Sequence, residues 1–193
     1  MPRLIELWDR LARKALGVRP LGESTVVGYA IRRYPGRSLT AADGTVLARG
    51  EPVIELHLDS RLLAAQTAGA NTHQRVLFLL REVIAGLHVI ARLVRSDPAL
   101  AKVRGVWGVT ILNRVVDRLG FTVVDLTPGF TRWITTRYLK WLLSSYHPDG
   151  EERLHQREEE LVPREIFMST ETLLSRYGQE RSRLRQPKPG SDE

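Results

Sequence analysis

In the run Ile54-Glu55-Leu56-His57-Leu58-Asp59, acidic and imidazole side chains alternate with aliphatic ones. Successive side chains of an extended strand point to opposite faces, so Glu55, His57 and Asp59 fall on one face. An imidazole between two carboxylates has two chemical uses. It can offer nitrogen and oxygen ligands to a divalent metal, or serve as a general base oriented by a carboxylate. The plainer alternative is the wet face of a half-buried strand. Metal sites usually draw ligands from several elements, and His73, His88, His147 and His155 all occur singly, without ligand spacing. No metal and no cofactor is therefore expected, and Glu55, His57 and Asp59 are the catalytic candidates.

A second position of interest is Asn113-Arg114, where a strand pattern gives way to a helix pattern. Backbone N–H groups and the helix dipole at such a start favour an anion, so the pair is an anion-binding candidate. The competing reading is that Asn113 simply caps the helix, as asparagine often does.

The richest surface signal lies between Asp125 and Asp149, a stretch without a single acid. Within it Arg132, Arg137 and Lys140 are interleaved with Trp133, Tyr138, Trp141 and Tyr146. Aromatics with an apolar body and a polar tip, set beside cations, suit an anionic membrane interface. Arg132, Trp133, Arg137, Lys140 and Trp141 are thus the expected contacts to a membrane or partner protein. The alternative is that this helix turns its apolar stripe into its own core. The same residues could also stack bases and hold phosphates, but no nucleic-acid module signature accompanies them, so no specific nucleic-acid partner is expected.

Several chemistries are excluded or unsupported. With no cysteine, the chain has no disulfide, thiolate metal site or thiol nucleophile. Ser60 and Ser169 lie in no Gly-x-Ser-x-Gly elbow, and no P-loop or dinucleotide fingerprint occurs. The net charge of +7 favours polyanions in general. Nearly all the cations are arginines, with lysine only at Lys14, Lys102, Lys140 and Lys188, a bias that a GC-rich genome explains equally well.

These residues need a scaffold, and 193 residues suffice for one core. Residues 3–17 read as an amphipathic helix built on Leu4, Leu7, Trp8, Leu11 and Ala15. Strands are expected over 25–33, 38–40, 46–47 and 53–59. Asp43-Gly44 turns the inner hairpin, because glycine supplies positive φ without steric cost. A short helix over 61–67 and a long one over 73–95 follow, the latter capped by Asn71 or Thr72. A strand over 106–112, a helix over 113–119 closed by Gly120 and a strand over 121–126 form a strand-helix-strand unit. Helix 130–146, a charged stretch over 151–163, a strand over 166–168 and a helix over 171–177 complete the pattern. The expected fold is α+β, with an antiparallel N-terminal meander, a long central core helix and C-terminal helices, as one domain over 1–178. Residues 179–193 are polar and read as a disordered tail. The most apolar run, 76–94, is interrupted by Arg81, Glu82, His88 and Arg92, so it predicts a core helix rather than a membrane span. The N-terminus has acids where a secretion signal needs an apolar run, which predicts a cytoplasmic chain, peripheral at most at the inner face of the membrane.

From about residue 29 to 178 the motif order resembles the YkoP-like family of Gram-positive bacteria. The segments carrying it are 32–37, Asp43-Gly44-Thr45, Ile54-Glu55-Leu56-His57-Leu58, 108–114, Arg118-Leu119-Gly120-Phe121 and Phe167-Met168-Ser169. That family is similar to a segment attached to polysaccharide deacetylases, which implies an accessory role linked to the cell envelope. The deacetylase's own acidic pair and helical-turn histidines are missing here. A helix running into Leu119-Gly120-Phe121 and then a strand also resembles acetyltransferases of the GNAT superfamily. Their glycine-rich pyrophosphate turn does not precede the long helix. The reading is a non-catalytic accessory or binding domain at the cytoplasmic membrane surface, with an acyltransferase or a His57-centred metal enzyme as the alternative, and nucleic-acid binding behind both.

Overall fold

The computed structural model describes residues 17–110, 113–126 and 163–179. The helix expected over 3–17, up to residue 16, the aromatic and basic helix expected over 130–146, the charged stretch over 151–163 up to residue 162 and all of the tail but its first residue lie outside them.

The described chain is a mixed α+β structure. Strands β1 (Arg19–Pro20), β2 (Val27–Arg33), β3 (Leu39–Thr40), β4 (Val46–Leu47) and β5 (Pro52–Leu58) come first. Helices α1 (Ser60–Gln66) and α2 (Thr72–Ser96) follow, with a short 3-10 turn at Pro98–Leu100. Then come β6 (Gly105–Thr110), α3 (Asn113–Val116), β7 (Thr122–Asp125), β8 (Arg164–Ser169) and α4 (Thr170–Tyr177). Six strands form an open sheet in the order β1-β2-β5-β6-β8-β7. Neighbours are antiparallel except β5 and β6, which run parallel with Ile54 opposite Val106 and Glu55 opposite Trp107. A parallel pair needs a long crossover, and α1 and α2 supply it. The expected N-terminal meander is antiparallel, but β3 and β4 pair only with each other, as a hairpin inserted between β2 and β5.

Local chemistry accounts for the helix ends. Asn71 accepts from the Gln74 backbone N–H while the Gln74 side chain accepts from the Asn71 N–H, a reciprocal capping box that opens α2. Asp59 caps α1 by accepting from the Leu62 N–H at 2.9 Å, and Ser169 caps α4 by accepting from the Thr172 N–H at 3.0 Å. Among the described residues no helix is long and apolar enough to cross a membrane.

Both faces of the central strands are covered. On one, Ile54, Val106, Ile166 and Met168 meet Leu87, Ile90 and Ala91 of α2 and Leu173 and Tyr177 of α4. His88 joins the two helices, donating from Nδ1 to the Tyr177 carbonyl at 2.8 Å, with its ring edge-on to Tyr177. On the opposite face Val53, Trp107 and Phe167 pack under Tyr34, Leu39 and Leu47 of the hairpin region. The hairpin is therefore a lid of the second core.

Two polar contacts hold this lid side together. Glu165, only 7% exposed, accepts from the Trp107 indole N–H at 2.6 Å. Tyr34 stacks edge-on against Trp107 at 5.8 Å, and burial, reinforced by the neighbouring Glu165, pushes its phenol well above the usual range. At the hairpin turn Asp43 accepts from the Ser169 hydroxyl, from Thr172 Oγ1 at 2.8 Å and from the Thr45 N–H at 2.9 Å. Gly44 follows at φ +85, a left-handed conformation that favours glycine. Partial burial alone would raise the Asp43 carboxyl. The donors from Ser169, Thr45 and Thr172 outweigh it and hold the carboxyl down at about 2.

Two outcomes follow. Replacing Trp107 by Phe keeps most of the ring but removes the indole N–H from a buried carboxyl, so chemical denaturation should report a loss of about 1–3 kcal/mol. A loss below ~0.5 kcal/mol would show that the indole N–H contributes nothing there. For Asp43, a folded pKa below the unfolded one means that its stabilisation is complete above about pH 4 and disappears as pH falls toward 2. The Tm gap between wild type and Asp43→Asn should thus be widest near neutral pH and close in acid. A gap independent of pH would contradict the latch.

Candidate functional site

The alternating run on β5 places Glu55 and His57 together, as its periodicity requires, on the sheet face that also bears Trp107 and Glu165. Glu55 Oε2 lies 3.2 Å from His57 Nε2 and 3.3 Å from Arg32 Nε, and all three side chains are about a fifth to a third exposed. Arg32 comes from β2, whose register sets Ala30 opposite Glu55 and Gly28 opposite His57. Those small residues leave the long side chains of Arg32 and Glu55 room to meet over the strand. Burial alone would raise the Glu55 carboxyl, but His57 and then Arg32 overcome it and hold the group below the usual carboxylate range. Arg32 Nη2 and His57 Nε2 are buried without a hydrogen bond; the imidazole nitrogen is close to Glu55 but not aligned for one.

Asp59 does not join this cluster in the way the pattern suggests, because its carboxylate caps α1. Glu55 is engaged by a guanidinium, which disfavours it as a metal ligand. Among the described residues no group of three or more potential ligands gathers around a metal-sized point. The three residues of the strand pattern thus resolve into one close Glu55–His57 contact and one helix cap.

Asn113 begins α3 on the backbone, as expected, and that helix is a single turn. The expected membrane or partner contacts Arg132, Trp133, Arg137, Lys140 and Trp141 lie outside the described residues.

One concave feature was not legible in the sequence. A cleft of about 410 Å³ opens between the hairpin turn, the Gly120–Thr122 corner, Asp117 and the first turns of α4. Asp43, Ser169 and Thr172 form one side, and Glu171, Ser175 and Arg176 continue along α4. Asp43 and Ser169 are 126 residues apart, and each already had a complete local explanation, the turn and the cap. No periodicity or spacing in the sequence signals that they meet.

A family model described as the YkoP domain matches residues 1–177. The chain is also similar to a Bacillus subtilis (strain 168) protein named uncharacterized protein YkoP, with 21% identity over 111 residues. That alignment covers 57% of this chain and 61% of the relative, so the chain spans less than two thirds of the relative's length. No solved structure gives a significant match. The family match spans the residues of the sheet, its cores and the cleft, and on that extent the chain belongs to the YkoP domain family.

Proposed function

We propose that the chain is a non-catalytic accessory or binding domain that works at the cytoplasmic face of the membrane, in a cell-envelope role. The carrying observation is the acid-free run between Asp125 and Asp149, with three cations set among aromatics. Arg132, Trp133, Arg137, Lys140 and Trp141 make the contact, to anionic headgroups or to an envelope-related protein docked there. The rest of the chain supports a binding role because its reactive-looking groups already do mechanical work. Asp59 and Ser169 cap helices, and Asp43 ties the hairpin to α4. The envelope connection rests on the resemblance to segments attached to polysaccharide deacetylases.

A second reading, acyl transfer, has two observations in its favour. The half-buried Glu55–His57 pair lies on β5 where that strand runs parallel to β6, and ligands of open sheets collect at the carboxyl ends of parallel strands. Leu119-Gly120-Phe121 also leads from a helix region into β7, as in the acetyltransferase unit it resembles. Against it, the first turn of α2 is satisfied by its own capping box, with no glycine-rich turn to cradle a pyrophosphate.

Vesicle sedimentation tests the leading reading. The protein should pellet with vesicles rich in phosphatidylglycerol, lose that association as salt rises, and bind neutral vesicles poorly. Arg137→Glu and Lys140→Glu should each weaken binding by about fivefold or more, the loss expected from about 1 kcal/mol per cation. Equally negligible pelleting with both vesicle types would overturn it. For the second reading, acetyl-CoA should raise the Tm of wild type. No shift at saturating acetyl-CoA would remove acyl transfer from consideration.

A further inference from the structure

The cleft beneath the hairpin turn has a charge arrangement unlike that of the chain as a whole. Cations outnumber acids overall, 29 Lys and Arg against 22 Asp and Glu. Around the cleft stand three carboxylates, those of Asp43, Asp117 and Glu171, and a single guanidinium, Arg176. Among the described residues neither Asp117 nor Glu171 forms an ion pair. The volume of about 410 Å³ falls within the usual range for small-molecule sites.

Arg176 is held in place rather than left to sweep the surface. Its Nη1 donates to the Arg118 carbonyl at 3.1 Å, and its stem crosses Gly120. Gly120 has φ +95, and a Cβ there would stand 2.9 Å from Arg176 Cδ and Nε, so only glycine lets the side chain lie across this corner. With one N–H committed to a backbone carbonyl, the planar guanidinium keeps further donors for a carboxylate. Asp43 is equally fixed, by Ser169, Thr172 and the Thr45 N–H, and stays ionised at any physiological pH. The cleft therefore offers a held cation, Arg176, and a held anion, Asp43, around one small volume that Asp117, Glu171 and the hydroxyl residues Thr122 and Ser175 also line.

We propose that this cleft binds a small zwitterion carrying a second ammonium group, of the basic amino acid class. The ligand's carboxylate pairs with Arg176. Its two ammonium groups meet the carboxylate side, where one cation alone would leave acids uncompensated. The binding is independent of vesicle attachment and of acyl transfer.

Amide NMR titration of the full chain with three probes separates the charges. L-Lysine presents the whole set, 1,5-diaminopentane lacks the carboxylate, and L-norleucine lacks the second ammonium. Lysine should give saturable shifts at Thr122, Thr172 and Arg176, and each truncated probe should bind about three- to fivefold more weakly, the scale of one exposed ion pair. Arg176→Gln should abolish the advantage of lysine over the diamine, and Glu171→Gln its advantage over norleucine. Both side chains are exposed, so both variants should keep the wild-type spectrum elsewhere. The proposal is overturned if lysine gives no saturable shift at these amides. It is equally overturned if the diamine binds as tightly as lysine, which would reduce the cleft to a general attraction of cations.

Discussion

The second face of the sheet depends on how one buried carboxyl group is satisfied. Glu165 sits on an inner strand of the sheet, beside Trp107, Phe167 and Tyr34 on that face, and is largely withdrawn from water. An unpaired polar group in such a place costs more than most single contacts return. The Trp107 N–H donates to Glu165, which fixes the indole, and the ring of Tyr34 packs edge-on against that indole. That ring brings the chain at residue 34 into the core and sends it out again as the hairpin. The latch between Asp43 and α4 then keeps the hairpin seated.

The same arrangement explains why residues that look chemical on paper are mechanical in the fold. A short polar side chain beside a helix start is more stable when capping the helix than when exposed, which is what Asp59 and Ser169 do. Glu55 and His57 differ, because they sit mid-strand where no cap is needed. Their pairing with each other and with Arg32 compensates a charge that has lost much of its water. The open cleft lies instead at a corner, where a hairpin turn, a left-handed glycine and a helix start converge.

What the sequence made legible was local. The Asp43-Gly44 turn, the Asn71 cap, the Ser169 cap and the long helix up to Asp97 all depend on contacts within a few residues, and all are in the structure. Alternation along 53–59 correctly paired Glu55 with His57, but alternation gives only a face and not a partner, so Arg32 from β2 was missed. Trp107 with Glu165, and Asp43 with Ser169 and Thr172, join residues from 58 to 129 positions apart. Nothing in either local pattern encodes such meetings. The two-residue strand β1 escaped for a different reason: Arg19–Pro20 has no apolar alternation and pairs only because β2 offers it an edge.

Hydrogen exchange in the native state tests most directly the claim that these polar contacts are mechanical. Amides that report on the hairpin, such as those of Ala41, Gly44 and Gly50, should exchange markedly faster in Asp43→Asn than in wild type, while those of α2 remain at the wild-type rate. That result would show a lid released locally from an intact sheet. Unchanged exchange in the hairpin, or uniform acceleration across the hairpin and α2 alike, would contradict the account.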